Sequence, residues 1–292
     1  MRLVPLTFAV AALSGCCGPP PSQFPNARAA LDRMRETHAC TRGVRAEAKV
    51  DYFGDRGRVR ASVLYMASQL ERVRFDVFAT VPVYQIVSTL TSDGENFTLY
   101  DLREKVFLHG PANTCNIARF TQVPVPPFAL VQLLRGEAPV LVHSPEQASI
   151  EWDGCDGYAI QIQSKHGASQ VIHLEPTPET WNEPWQKQKV IVRDVSVTQQ
   201  GYDLYRAVMA DHEPASTAKA IEDPDGLGPA TPPSGPACSA PLPRRMRLEV
   251  PDGDQELVLR LQEAAHNPPL MEGVFTQPQP QGVSVRYADC NR

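Results

Sequence analysis

Residues 72–110 alternate apolar and polar side chains over four short runs, a period of two that is typical of β-strands with one buried face. Phe75 and Val77 share a face in the first run, and Ile86 and Leu90 share a face in the second. The runs span residues 72–80, 83–91, 97–100 and 106–108. Tight turns join them, so this segment predicts an antiparallel meander that buries one face and carries no obvious catalytic group.

Similar alternation continues on both sides of this meander. Further strands are predicted at residues 42–52, 59–65, 149–152, 158–163, 170–174, 187–198, 201–210, 246–250, 256–261 and 283–287. In the strand at 187–198, Ile191, Val195 and Val197 are expected to lie on one face. The pattern therefore predicts an α+β chain that is mainly antiparallel β.

Three helices are predicted among these strands. The first covers residues 24–38 with Asn26 as its N-cap, and a short second helix covers residues 113–119. The third opens at Pro126-Pro127 and ends before Gly136. Because this third helix is apolar nearly all round, it has to be covered, and the simplest cover is the concave face of the sheet.

The region at about 213–243 breaks the alternation, since it is rich in Pro, Ala and Gly. It is predicted to be an exposed, partly disordered insertion. A domain boundary is the alternative, but only about fifty residues follow and they resemble further strands. Residues 26–292 are therefore expected to form a single domain.

The N-terminus carries the sharpest local motif. A basic residue precedes an apolar run that is too short to span a bilayer, and Leu13-Ser14-Gly15-Cys16 follows. This sequence resembles the bacterial lipobox, in which a diacylglycerol is attached to the cysteine and the signal peptide is cut before it. The resemblance implies a signal peptide at 1–15, lipidation of Cys16 and a Pro-rich extended tether at 16–25. An ordinary secretory signal with chance cysteines is the alternative. Cys17 stands where an Asp would favour inner-membrane retention, so the outer membrane is expected.

Cysteine usage agrees with export. The remaining cysteines are Cys17, Cys40, Cys115, Cys155, Cys238 and Cys290, without any Cys-x-x-Cys or zinc-like spacing. Disulfides in an oxidising compartment are the simplest interpretation. Six cysteines allow about 15 pairings, and the sequence does not choose among them.

The sequence favours neither an enzyme nor a nucleic-acid binder. The net charge is −5 with mixed signs, so no basic stripe is present. Gly-x-Ser-x-Gly, His-Glu-x-x-His and P-loop motifs are absent. His109 and His173 are interpreted as structural, and Asp93 and Asp101 as turn formers. No catalytic residue, metal site or cofactor is therefore predicted.

Taken together, these elements resemble the LolA/LolB superfamily of outer-membrane lipoprotein carriers and receptors. The matching stretches are RFDVF…VP…TLTSDGENFTLYD, FALVQLLRGEAPVL and RMRLEVPDG…ELVLRLQEAAHNPPLMEGVFTQPQP. The resemblance covers roughly residues 39–290 and implies a curved, incomplete β-barrel, a half-barrel, whose apolar concave face is covered by helices and holds acyl chains. The Pro-rich insertion, the extra cysteines and the greater length depart from that family.

Independently of the family, a curved apolar sheet face that meets only a few helices leaves volume suited to a chain-like apolar ligand. The candidate lining residues are Val63, Tyr65, Phe75, Val77, Ile86, Leu99, Leu130 and Leu134, each of which could equally be ordinary core. The family resemblance also implies an exposed apolar residue in the loop after the third strand, here Val81. Burial of Val81 against a neighbouring strand is the alternative.

Two functions from different classes follow. The first is a lipid-anchored protein, facing the periplasm at the outer membrane, that binds acyl chains of lipoproteins or other lipids, with a periplasmic carrier protein as a possible source. The second is a structural or regulatory envelope lipoprotein that uses the fold to bind a protein partner, as envelope-stress sensors with related folds do. An open, apolar cavity favours the first, and a cavity filled by its own side chains favours the second.

Overall fold

A computed structural model describes residues 18–54, 57–79, 85–253 and 255–289. The signal peptide at 1–15, Cys16, Cys17, Val81 and Cys290 lie outside the described residues. The three α-helices are α1 (Ala27–Thr37), α2 (Thr114–Thr121) and α3 (Pro127–Leu134). The first seven strands are β1 (Gly43–Gly54), β2 (Gly57–Ser68), β3 (Arg72–Ala79), β4 (Gln85–Ser92), β5 (Asn96–Asp101), β6 (Val106–Pro111) and β7 (Ala148–Trp152). The others are β8 (Tyr158–Gln163), β9 (Ala168–Pro176), β10 (Val190–Gln199), β11 (Tyr202–Pro214), β12 (Pro241–Val250), β13 (Gln255–His266) and β14 (Ser284–Tyr287).

All fourteen strands belong to one open sheet in the order β14-β6-β5-β4-β3-β2-β1-β13-β12-β11-β10-β9-β8-β7. Each neighbouring pair is antiparallel except β14 and β6, which are parallel. The predicted succession of six antiparallel strands after one helix is confirmed by β1–β6. β1 pairs with β13, a strand near the C-terminus. This pairing joins the N-terminal meander to the C-terminal one in a single sheet.

The helices begin and end where local chemistry predicts. The Asn26 side chain accepts a hydrogen bond from the backbone N–H of Ala29, 2.9 Å away, and so caps α1. Its apolar residues Ala30, Leu31 and Met34 are buried. Pro127 occupies the first turn of α3, where its missing N–H costs no intrahelical bond. Gly136 follows that helix with a φ of 84°, a value that glycine adopts without strain.

Two β-bulges correct the predicted side-chain phase. In β4 the register shifts so that Val77 pairs with Ser88 but Phe78 pairs with Ile86. The extra residue turns Ile86 to the outer face, where its side chain is 37% exposed, while Leu90 stays fully buried. In β10 a second shift lies between Val192 and Asp194, so Ile191 does not share the face of Val195 and Val197. That buried face is formed by Val190, Val192, Val195 and Val197.

The predicted insertion is mostly exposed, and contacts near its end connect it to the rest of the domain. It joins β11 to β12, two neighbouring strands of the same sheet. A disulfide links Cys238, near its end, to Cys40 after α1. The Asn267 side chain donates 2.7 Å to the carbonyl of Pro236 and 2.9 Å to that of Cys40, so one amide joins both segments. Cys115 and Cys155 are disulfide-bonded as well.

The segment that precedes α1 also differs from the expected free tether. Pro20 and Phe24 are buried, so the chain packs against the protein well before residue 25. Among the described residues, no helix combines the length and apolar character that crossing a membrane requires.

Candidate functional site

An apolar cavity of about 340 Å³ lies between the sheet and the last two α-helices. Its volume is at the lower end of the range usual for small-molecule sites, about 300–1,000 Å³. The residues that line it are Val50, Tyr52, Val59, Ala61, Val63, Phe75, Val77, Phe120, Thr121, Gln122, Leu130, Leu134, Leu257 and Leu259. None of these side chains carries a formal charge at neutral pH, and all but Thr121, Gln122 and the hydroxyl of Tyr52 are apolar.

The strand part of the wall follows from cross-strand register. Tyr52 in β1 pairs with Leu257 on one side and with Val59 on the other. Two residues earlier, Val50 pairs with Leu259 and with Ala61 in the same way. Because side chains two apart share a face, these strands present one continuous apolar surface. Its small members, such as Ala61, leave the space that larger side chains would fill.

The helical part of the wall comes from α2 and α3. The ring of Phe120 at the end of α2 stacks on that of Phe75 in β3, with centroids 4.8 Å apart. Leu130 and Leu134 of α3 face the same cavity. The Tyr65 hydroxyl donates to the backbone carbonyl of Leu134 over 3.4 Å, which connects β2 to the end of α3. Burial raises the pKa of this phenol well above its usual value, so it remains a donor.

The cavity is open at the end where β1 and β2 approach their hairpin. Val59, which lines it there, is 56% exposed. At the opposite end the wall is closed by side chains such as Tyr65, which is 1% exposed. An elongated apolar group can therefore enter at Val59 and lie along the strands toward α3.

Five of the eight predicted lining residues line this cavity, and three do not. Val63, Phe75, Val77, Leu130 and Leu134 do so. Tyr65 is core and bonds to α3, Leu99 packs against the core, and the bulge turns Ile86 outward. Within the described residues, the structure shows an unfilled volume at this site.

Lining residues of two kinds were not predicted from the sequence. Val59 and Ala61 alternate in phase with Val63, so extending the same face by four residues would have found them. Leu257 and Leu259 required the knowledge that β13 pairs with β1, and no local signal encodes a contact between strands two hundred residues apart.

Polar clusters elsewhere have structural explanations. The Asp93 carboxylate accepts from the backbone N–H groups of Glu95 and Asn96, and Asp101 accepts from those of Arg103 and Glu104, so both are turn formers as predicted. In the described ranges, no three His, Cys, Asp or Glu side chains converge in a way that could hold a metal ion.

Histidine 173 and aspartate 51 lie on the outer face of the sheet. His173 Nδ1 lies 3.1 Å from a carboxylate oxygen of Asp194, and the hydrogen bond that the imidazole donates to this carboxylate raises the pKa of His173. Burial would raise the pKa of Asp51, but hydrogen bonds from Arg60, Arg58 and Arg260 hold it below its usual value. These groups join neighbouring strands and do not face the cavity, because residues 50 and 52 of β1 line it and residue 51 points the other way.

Comparison of the coordinates with solved structures shows a similar fold in bacterial proteins. A domain named for outer-membrane lipoprotein sorting, from Vibrio parahaemolyticus, superposes with a TM-score of 0.51 at 11% identity and covers 84% of this chain and 95% of its own. A DUF1329 family protein from Desulfovibrio piger gives a TM-score of 0.52 at 10% identity, with 86% and 97% covered. A LolA superfamily protein from Nitrosomonas europaea gives 0.49 at 9% identity, with 87% and 99% covered.

No protein-family profile matches the sequence. No curated protein matches it by sequence either. The structural likeness nonetheless confirms the predicted fold class: the described residues form a single open, mainly antiparallel sheet with three α-helices, as in the lipoprotein-sorting domain and the DUF1329 protein.

Proposed function

We propose that this protein is an envelope lipoprotein that binds an acyl chain of a lipoprotein, or of another lipid, without covalent attachment. The sheet acts as a half-barrel, and α2 and α3 cover its concave face. A diacylglycerol on Cys16 anchors the mature chain to the outer membrane, with the domain in the periplasm. The protein performs no covalent chemistry on its ligand, and a periplasmic carrier delivers the cargo.

The observation that carries this proposal is the cavity itself. Its lining is apolar on strands and helices alike, and Val59 leaves it open to solvent. Each methylene moved from water into such a lining contributes about 0.8 kcal/mol. Since no charged side chain lines the wall, affinity should depend on chain length rather than on headgroup chemistry inside the cavity.

The test of binding is a titration with a fluorescent fatty acid. The mature chain with Cys16→Ala would be exported behind a signal peptide that is cleaved without lipidation, so that no attached acyl chain competes. Saturable binding that a triacylated lipopeptide displaces supports a carrier or receptor. Absence of binding at micromolar ligand would exclude acyl-chain capture and would leave a protein partner as the function of the fold.

The anchor has a separate test. The natural chain should incorporate a labelled fatty acid and float with outer-membrane vesicles, whereas its Cys16→Ala variant should do neither. Labelling that persists in the variant would show that Cys16 is not the acceptor. Cys17→Ala is the matched control, since it alters the neighbouring thiol and should leave the labelling intact.

A further inference from the structure

All three tryptophans of the chain lie in one aromatic cluster. Trp152 makes edge-on contacts with Tyr158 at 4.9 Å and with Trp181 at 5.8 Å between ring centroids. Phe24 makes similar contacts with Tyr158 at 4.9 Å and with Trp185 at 6.1 Å. We call these five residues the tryptophan rim. The three indoles are only partly buried, so part of the cluster remains on the surface.

The tryptophan rim is also where the N-terminal segment joins the domain. Phe24 is 6% exposed, and the Ser22 hydroxyl accepts a hydrogen bond of 3.0 Å from the backbone N–H of Trp185. The Gln188 side chain donates 2.9 Å to the carbonyl of Ser22. These contacts fix residues 22–24 to the rim, so the chain that continues toward the N-terminus leaves the protein at this place.

Little chain remains between this place and the proposed anchor. Pro20 is buried and lies four positions after Cys16, a reach of at most about 14 Å when fully extended. Ser22, which bonds to Trp185, lies two positions further, so a lipid on Cys16 would hold the tryptophan rim within roughly 20 Å of the membrane surface. This step rests on the proposed function, because it takes lipidation of Cys16 as given.

We propose that the tryptophan rim is a membrane-contact surface that rests in the lipid–water interface. Tryptophan and tyrosine are enriched at that level because one end of each side chain is apolar and the other is polar. Exposed charges around the rim do not form a basic patch: Lys187 and Lys189 are offset by Glu179 and Glu183, and Glu151, Asp153 and Asp156 add acidic groups beside Trp152. The contact should therefore depend on the aromatic rings and only weakly on anionic lipid.

Strand direction then places the mouth of the cavity on the other side of the protein. Strands β1, β10 and β8 run in the same direction, because an even number of antiparallel pairings separates each from the next. All three therefore begin on the same side of the sheet. Tyr158 is the first residue of β8 and belongs to the tryptophan rim. Tyr52, near the end of β1, pairs with Val59, near the start of β2, so both lie on the opposite side of the sheet. With 12 residues, β1 spans about 40 Å. The mouth thus opens away from the anchoring membrane and faces donors in the periplasm.

The native tryptophans supply the test. The full-length lipidated protein would be reconstituted in phosphatidylcholine vesicles whose acyl chains are brominated near the headgroup, and its tryptophan emission compared with that in unbrominated vesicles. We expect a loss of roughly half of the emission, since interfacial indoles lie within contact of the bromines. Addition of anionic phosphatidylglycerol should leave that loss unchanged, and the Cys16→Ala chain should show almost none.

A second measurement reports on the mouth. In a Val59→Trp variant, the fluorescence of the added tryptophan should not be quenched by the brominated lipids but should be quenched by aqueous iodide. Protein that floats with vesicles but keeps its full native emission would overturn the membrane-contact surface and leave the anchor standing. Protein that does not float would overturn the anchor, and the contact surface with it. Quenching of the tryptophan at position 59 by the brominated lipids would overturn the proposed orientation.

Discussion

The aromatic rings of Phe75 and Phe120 stack with their centroids 4.8 Å apart and their planes at 28°. Phe75 belongs to the sheet and is 2% exposed, whereas Phe120 ends α2 and is partly buried. Both line the cavity, so this pair joins the helical wall to the strand wall. The width of the cavity at this place depends on the two rings staying in contact.

Phe120→Ala should weaken this junction. We expect the free energy of unfolding to fall by about 2 kcal/mol, less than the roughly 3–5 kcal/mol usual for a fully buried phenylalanine, because Phe120 is partly buried. Chemical denaturation monitored by circular dichroism measures the change. Phe120→Leu is the matched control, since it keeps apolar bulk without the ring, and should lose less than half as much; no loss at all in Phe120→Leu would show that the aromatic stack contributes nothing of its own.

Filling the cavity should weaken the binding of an acyl chain with little effect on the stability of the fold. Ala61→Phe adds a ring at an inward position beside the mouth, where the volume is unoccupied. We expect affinity for a fluorescent fatty acid to fall at least about tenfold, equivalent to 1.4 kcal/mol, with no loss of unfolding free energy. Gln161→Phe adds the same ring to an exposed position on β8 and should bind normally. Unchanged affinity in Ala61→Phe would place the ligand elsewhere.

The parts of this architecture that can be predicted from the sequence are those that depend on local chemistry. Asn26 caps α1, Pro127 opens α3, and a period of two marks nearly every strand, so element type follows from neighbouring residues. The same period correctly places Val63, Phe75 and Val77 on the cavity wall. Helix α3 was predicted to need a cover because it is apolar nearly all round, and Leu130 and Leu134 do face the cavity.

What the sequence could not predict depends on contacts between distant residues. Because of a bulge, Val87 has no pairing partner in β3, and the Ile86 side chain lies on the opposite face from the one predicted. The sequence of β4 contains no residue that would predict this bulge. Pairing of β1 with β13 is a property of the whole fold. The proline-rich loop has the composition of a flexible segment, yet the Cys40–Cys238 bridge and Asn267 fix it from outside its own sequence.

Asp76 should be a strong determinant of stability on the outer face of the sheet. Its carboxylate is 5% exposed and accepts two hydrogen bonds from Arg74, at 2.8 and 3.0 Å, and one of 2.8 Å from the Thr89 hydroxyl. Asp76→Ala removes the carboxylate acceptors of the guanidinium and leaves it, in the described part of the chain, only the backbone carbonyl of Val274, 3.3 Å from Nη1. We expect a loss of about 2 kcal/mol, below the roughly 3–5 kcal/mol of a fully buried pair because the Arg74 side chain is 27% exposed.

The control for that measurement is a surface pair. Asp32→Ala removes the ion pair of Asp32 with Arg35, whose side chains are both about half exposed. It should cost at most about 0.5 kcal/mol. Combining Arg74→Ala with Asp76→Ala should cost less than the sum of the two single changes, since neither charge is then left alone. Simple additivity would show that the two residues do not interact.

Buried histidines should make the fold sensitive to mild acid. His38 is 2% exposed, and neither of its ring nitrogens has a hydrogen-bond partner among the described residues. Burial, together with the charges of His266, Arg135 and His212, lowers its pKa to about 3. Burial likewise lowers the pKa of His212 to about 4. Both histidines therefore remain neutral in the folded protein at pH values where they are protonated in the unfolded chain.

The sign of the effect follows directly. Because the unfolded imidazole binds its proton near pH 6.5 and the folded one does not, stability is complete above that pH and falls as the pH drops toward 4 and then 3. Each histidine contributes a limiting slope of about 1.4 kcal/mol per pH unit. Urea denaturation between pH 7 and pH 4 measures it, and His38→Leu should reduce the slope by about one proton without removing any hydrogen bond of the ring. An identical slope in that variant would show that His38 is already protonated in the folded state.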